Sequence, residues 1–503
     1  MKYFLLVILV LLTQGFALGD DVIKLQSEID SEMGKKVLAV EKAHELTKKF
    51  REVANPFHES LIQDLKEEKP LTGAQLTSMH GLVSSFISLA YRIEREYEQR
   101  EDGFVKLFYG VTLLELIRNT YIKAFRNKKL RVLLNDKDSS FGIEKKELKK
   151  YLLNVLSRKF LSEVESLYIS YKSEAGEKLE KAWNGHSRVI EKIRNNEFLK
   201  FRKFILDSTA SDWGREFSKF LLHHVSGAFG NSAGSIKWRR GYLENNFKVI
   251  RDIKLKIQPL DVITEKAGFA LTDTFIPGHF GHNAIWLGYE SELIEMGIWN
   301  TLPSSVQKGI RQGKNILETD RSGTHLKSLE DFMNVDEFAI LRFKEGIIKE
   351  EQIEKIYKVA VSQLGKKYDF NFDVETTDRL VCSELLYQSF GKINWPTEKY
   401  LGRTTISPDN VGSLILYNNS PLEMIYFVAG SESGLYEKDI FDFANDIGFK
   451  TTSEGFLKPR KVCTVRTIKR PGGFRQRGTS RKRETINIKD CETVFDELNY
   501  ETR

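Results

Sequence analysis

The chain has 503 residues, 41% of them hydrophobic and 29% charged, which fits a globular protein of several domains with ample chain for sizeable cores. Its net charge of +7 permits contact with anionic surfaces but does not mark a nucleic-acid partner. No phosphate-binding glycine loop, metal-binding cysteine pair or internal repeat is present, so neither a cofactor nor a metal is expected.

Residues 1–19 read as a signal peptide: Lys2 supplies positive charge, Phe4 to Leu12 an unbroken apolar run, and Ala17-Leu18-Gly19 a small-residue cleavage pattern. That run is too short to span a bilayer comfortably, and no cysteine follows it for lipid attachment. The expectation is an exported protein, periplasmic or secreted, with no transmembrane span in the mature chain. From 20 to 226 apolar residues recur at three- and four-residue spacing, as in Leu82, Phe86, Leu89 and Ala90, or Leu107, Val111, Leu114 and Ile117. Pro56, Pro70 and the stretch Asp136 to Gly142 break the pattern. A bundle of long antiparallel helices is predicted, as a packing scaffold rather than a partner-binding arm. Asp136 to Glu147 places oxygen side chains at positions one, three, five, nine and twelve of a calcium-type loop. Phe141 stands where that loop needs glycine, which favours a plain polar loop. Small residues between Gly227 and Gly241 mark a linker, taken as 227–250, and Trp238-Arg239-Arg240 within it reads as a docking patch or a charged boundary.

The chemistry concentrates in two stretches. Gly278 to Gly288 reads as a loop feeding a β-strand, with His282, Ala284 and Trp286 on one face and Asn283, Ile285 and Leu287 on the other. About a hundred residues later, Asp378 to Leu386 reads as a helix start capped by Asp378, with Cys382 in the first turn. A thiol there meets unpaired backbone N–H groups and the positive end of the helix dipole, and both favour the thiolate. A histidine on a neighbouring strand then supplies the base of a cysteine nucleophile.

With "FIPGHFGHNAIWLG", "ILETDRSGTHLKSLEDF", "GKKYDFNF" and "RLVCSELLYQSFG", the segment from about Leu255 to Gly430 resembles the YiiX-like, circularly permuted papain-like amidases. These are relatives of the NlpC-type cell-wall cysteine peptidases and, more distantly, of lecithin:retinol acyltransferase. The histidine precedes the cysteine, which is the permuted order. The resemblance implies Cys382 as nucleophile, His282 as base and Glu318 as the residue orienting it. It also implies an antiparallel β-barrel or sheet packed on the helix that carries the cysteine. "IQPLDVIT" resembles the family's opening strand, with Leu260 where a glycine is usual. His279 is the rival base, and it is placed with Tyr368 and Trp286 as lining the substrate pocket. His325 falls in the loop-like "SGTHLKS" and is read as solvent-facing.

The expected fold class is therefore α+β: a helical bundle (20–226), a permuted papain-like domain (251–432) and a C-terminal extension (433–503). In that extension Lys469 to Arg483 is a basic loop joining short strands at Val462–Ile468 and Thr485–Ile488. The loop is a candidate contact for an anionic envelope surface. Three cysteines in an exported chain allow one pair, and Cys463 and Cys491 flanking the loop are expected to form it, leaving Cys382 free. The functional expectation is a cysteine hydrolase acting on an amide or ester, in a cell-wall peptide or a lipid-like N-acyl substrate. The rival is a non-catalytic envelope scaffold.

Overall fold

Amphipathic spacing and side-chain caps set the N-terminal helices. Helix α1 (21–33) precedes α2 (Val40–Lys66), which buries Leu46, Phe50, Ala54, Phe57 and Leu61 along one face. Pro56 lies inside α2 and does not end it. Proline costs the helix one backbone hydrogen bond, and the packed face on either side of it holds the helix together. A reciprocal Thr72–Gln75 capping box starts α3 (Gly73–Gln99), and the Asp102 carboxylate caps α4 (Gly103–Arg126). Helices α5 (Lys128–Leu133), α6 (Glu147–Val155), α7 (Arg158–Ala182), α8 (His186–Arg194) and α9 (197–208) complete the arm. The computed structural model describes residues 21–182, 186–208, 239–269, 278–369, 372–400, 403–469 and 485–502. The signal-like segment, residues 227–238 of the expected linker and the basic segment 470–484 lie outside the described residues. Among the described residues no helix is long and apolar enough to cross a membrane.

After α10 (Phe247–Lys256), strands β1 (Val262–Lys266), β2 (His282–Trp286), β3 (Ile316–Asp320), β4 (Gly323–Lys327) and β5 (Glu337–Phe343) follow. Short strands β6 (Lys367–Tyr368), β7 (Arg379–Leu380), β8 (Glu398–Tyr400) and β9 (Arg403–Thr405) come before β10 (Leu422–Ser431) and β11 (Gly434–Glu437). The main sheet has seven strands in the order β11-β10-β5-β1-β2-β3-β4, with all six pairings antiparallel. It is an open sheet, which corrects the barrel alternative. The outer edge of β4 bonds to the chain at Gly365 and Lys366 instead of meeting β11, so the ends do not join. Period-two alternation sorts its side chains. Ile263, Ala284, Trp286, Ile316, Phe338 and Ile340 pack with Val249, Ile250 and Ile253 of α10. Val262, Ile285, Leu287, Leu317, Ala339 and Leu341 face the opposite way, toward helix α11 (Glu290–Glu295), α12 (Ser304–Arg311), α14 (Glu350–Ser362) and α15 (Cys382–Ser389). The remaining sheet-side helix, α13 (Leu329–Phe332), covers the α10 side. Leu260, at the usual glycine position before β1, adopts φ 69°. A non-glycine residue in that region costs about 1 kcal/mol; the turn keeps it with Leu260 N–H bonded to the Trp286 carbonyl and Asp261 clamped by Arg342 at 2.8 and 2.7 Å.

The arm and the sheet share one continuous apolar cluster, in which Leu76 and Leu82 of α3 belong together with Leu385 and Leu386 of α15. The backbones nearly touch: a Cβ on Gly73 would lie 2.0 Å from the Tyr387 carbonyl oxygen, and one on Gly391 would lie 2.3 Å from the Ala74 nitrogen. The calcium-like loop is part of this joint. The Asp138 carboxylate meets His80 Nδ1 at 2.9 Å and Lys366 Nζ at 3.1 Å, and it accepts the Ser140 N–H at 3.0 Å. Lys366 also donates to the Thr377 carbonyl, and Ser140 to the Ser362 carbonyl. The Asp138 carboxylate of this loop is thus taken up by a buried ammonium group. Arg239, within the expected linker, clamps Asp336 with its two Nη atoms, each 2.7 Å from a carboxylate oxygen, so that segment docks on the sheet domain.

Helix α16 (Pro408–Ser413) lies between β9 and β10, and in the C-terminal extension α17 (Ile440–Asp446) precedes β12 (Lys450–Thr451), β13 (Phe456–Lys469) and β14 (Thr485–Glu497). The last two are longer than the strands read from sequence, and cross-strand ion pairs such as Arg460–Asp496 and Arg466–Asp490 span a ribbon in which no described side chain is fully buried. Cys463 and Cys491 stand directly opposite on it and are bonded, their Cα atoms 4.0 Å apart.

The joint yields a stability prediction. Asp138→Asn leaves the buried Lys366 ammonium without its anion and is expected to destabilise the protein by about 3 kcal/mol in urea unfolding. Glu144→Gln in the same loop, at a side chain 71% exposed, should stay within about 0.5 kcal/mol of the parent.

Candidate active site

Cys382 is the first residue of α15, and the expected cap is displaced. Asp378 lies before β7, which pairs in parallel with β6 and keeps the chain extended to Val381. Val381 is the N-cap residue, and its N–H is accepted by Glu384 Oε2 at 2.9 Å. The thiol is buried at 4% exposure. It lies against the start of β2, close enough to the Asn283 backbone N–H and the His282 ring for both to bear on its ionisation. Ser383 locks the helix to the strand by donating to Asn283 Oδ1 at 2.9 Å, with its own Oγ 3.9 Å from the sulfur.

His282 opens β2, and Glu318 lies on β3 opposite Ala284, two residues along the same face. His282 Nε2 meets Glu318 Oε2 at 2.9 Å, which leaves Nδ1 for the thiol. Burial works against the imidazolium, but Cys382 and Glu318 on its two sides outweigh it and push the His282 pKa well above the ordinary value. Burial alone would raise the Cys382 thiol. The adjacent His282 and the donors on Asn283 and Ser383 bring it below the usual thiol range. Glu318 is also buried, yet His282, His325 and Lys327 hold its carboxyl far below the usual carboxylate range. The three groups therefore favour a thiolate, an imidazolium and a carboxylate in a row.

Tyr368 of β6 stands beside this row: burial first, then the charges of Cys382 and Glu384, push its hydroxyl well above the ordinary range. His279 is elsewhere. Its Nε2 meets Glu337 at 3.0 Å, its Nδ1 accepts from Lys266 at 3.0 Å, and its backbone N–H bonds to Asp409. With both ring nitrogens engaged in that cluster, it is not a second base for Cys382. Trp286 does not line a pocket: it is 1% exposed in the sheet core, with the Tyr289 ring 5.3 Å away. Four residues of extended strand carry it about 13 Å from His282. Among the described residues two groupings of acids and histidine have metal-like spacing, His279–Glu337–Asp446 and Glu318–Asp320–His325. Lysine closes each of them. Lys438 lies 3.3 Å from Glu337 and 2.7 Å from Asp446, and Lys327 lies 2.9 Å from Glu318.

Sequence reading missed three contributors. His325 is half-buried on β4 directly opposite Glu318, not solvent-facing in a loop, and Lys327 joins it. The i, i+2 spacing in "THLK" was the available signal. Glu384 is the third. Burial, with Asp369 and Asp373 near it, pushes its carboxyl well above the ordinary value, so it caps the helix as a neutral acid and adds no negative charge beside the thiolate. A carboxyl whose pKa is higher folded than unfolded loses stability as pH rises above its unfolded value. Glu384→Gln is therefore expected to raise the melting temperature by at least about 2 °C at pH 8 and to leave it unchanged near pH 4, as read by thermal unfolding at both pH values.

Residues 256–437 match the family model described as permuted papain-like amidase enzyme, YaeF/YiiX, C92 family. The matched segment runs from the end of α10 to the end of β11 and contains His282, Glu318 and Cys382. It supports the resemblance read from the motifs. No curated protein and no solved structure matches the chain.

Proposed function

We propose that this protein is a cysteine hydrolase whose Cys382, His282 and Glu318 cleave an amide or ester by way of an acyl-enzyme. The observation that carries the reading is the His282 ring, 2.9 Å from the Glu318 carboxylate on one side and near enough to the Cys382 thiol on the other to favour its ionisation. The Cys382 thiolate attacks the substrate carbonyl and forms a carbon–sulfur bond, and the carbonyl π electrons move to oxygen. The Cys382 N–H, in the first turn of α15, is the donor assigned to that oxyanion. As the tetrahedral centre collapses, the bond to the leaving amine or alcohol breaks and His282 gives that group its proton. Water then attacks the thioester while His282 takes a proton from it. Collapse releases the acid and returns the thiolate–imidazolium pair. Glu318 fixes the ring through Nε2 in both halves.

The substrate class follows from the family resemblance: a cell-wall peptide or a lipid-like N-acyl compound. Export through the N-terminal leader is part of the same reading, and with it access to either substrate. The arm is assigned a structural role, because its core is continuous with that beneath the cysteine helix.

Cys382→Ala should abolish hydrolysis without loss of fold. His282→Ala should lower kcat/KM by about a thousandfold and Glu318→Gln by about 10- to 100-fold. Incubating the protein with envelope extract and weighing the intact chain should reveal an acyl adduct on Cys382. Full turnover by Cys382→Ala would refute the mechanism, and a thiol that reacts no faster than free cysteine would favour the scaffold.

A further inference from the structure

Glu318 has two oxygens, and the mechanism above uses one. Oε2 holds His282. The other, Oε1, faces two cationic side chains from β4, with His325 Nε2 at 3.1 Å and Lys327 Nζ at 2.9 Å. Both come from one strand because residues i and i+2 share a face, and the register sets His325 directly opposite Glu318. The carboxylate is 2% exposed, whereas the His325 and Lys327 side chains are 36% and 30% exposed. The pair therefore joins a buried anion to solvent. The second His325 nitrogen also faces acceptors, the Gly323 carbonyl at 3.0 Å and Asp320 at 3.8 Å. A ring with acceptors at both nitrogens is satisfied as the imidazolium. Lys327 lies over the Phe332 ring at 5.7 Å, the same ring that His282 packs against at 5.9 Å, so both flanks of the carboxylate lean on one aromatic.

We propose that His325 and Lys327 are positioning residues for the reaction: together they hold Glu318 ionised and oriented through Oε1, and so set how tightly His282 holds its proton beside Cys382. This rests on the hydrolase reading of the site and deepens it. The charged groups around the carboxylate are His282 from β2, His325 and Lys327 from β4, Cys382 from α15, Asp320 beside His325, and Glu265 of β1 acting on Lys327. With both β4 cations present, Glu318 carries its charge at low cost and its pull on the His282 proton is tempered. Loss of one cation leaves the carboxylate less compensated. His282 then binds its proton more tightly, and the thiolate loses a favourable field. Both effects shift the working pH range upward.

The test uses the full-length protein and iodoacetamide. With Cys463 and Cys491 bonded, Cys382 is the free thiol, so the pH dependence of alkylation reads its ionisation without a known substrate. Lys327→Met is expected to move the alkylation midpoint up by about half a unit to one unit, which slows labelling about 3- to 10-fold on the acid limb. His325→Gln, at a half-exposed site, should move it the same way by less. Lys327→Arg should bring the midpoint back toward the parent, which a purely structural effect of the lysine would not require. Profiles of Lys327→Met and His325→Gln that superimpose on the parent overturn the proposal and leave the hydrolase reading intact. A parent midpoint in the ordinary thiol range instead overturns the hydrolase reading itself.

Discussion

A histidine ring held between a sulfur and a buried carboxylate is the arrangement on which the proposed chemistry depends. Each charged group would be costly alone in so dry a place. Together they are self-consistent: the Cys382 sulfur and Glu318 favour the His282 proton, and His282 favours both anions. Removing one member leaves the others as uncompensated buried charges, so the site behaves as a unit.

The geometry comes from the starts of two elements meeting. Cys382 begins a helix, His282 begins a strand, and the Ser383–Asn283 hydrogen bond ties the two starts together. A helix start supplies free amides and a strand start supplies a side chain free of neighbours on one side. Reversing the order of histidine and cysteine along the chain changes none of this, because the contact is made between elements and not along the sequence.

The helical arm serves the same end. The loop holding Asp138 grips Lys366, two residues before Tyr368, and the same lysine reaches Thr377, just before β7 and the cysteine. Tyr387 of α15 donates to the Leu71 carbonyl, and Lys129 pairs with Glu375. The segments on both sides of the cysteine are therefore braced against helices more than two hundred residues earlier. Within the loop that resembles a cation site, Asp138 is the anion that the buried Lys366 needs.

What the sequence by itself determined is the set of local patterns. Period-two alternation places Ile285 and Leu287 on the face opposite Trp286, and the motifs single out Cys382, His282 and Glu318 together. Helical spacing marks the arm, although Pro56 was read as a break that the packed faces of α2 override. Only the tertiary structure decided which side chains share a site. Trp286 carries the alternation of a pocket residue but points into the sheet core, and His279 sits three residues from His282 yet joins the cluster of Glu337 and Lys266. His325 looked like a loop residue because the strand pairing that sets it opposite Glu318 is visible only once β3 and β4 are in register. The open sheet and the shared core of arm and cysteine helix belong to the same class. The physical reason is that periodicity and capping are properties of neighbouring residues, whereas register, burial and charge compensation depend on partners that folding alone brings together.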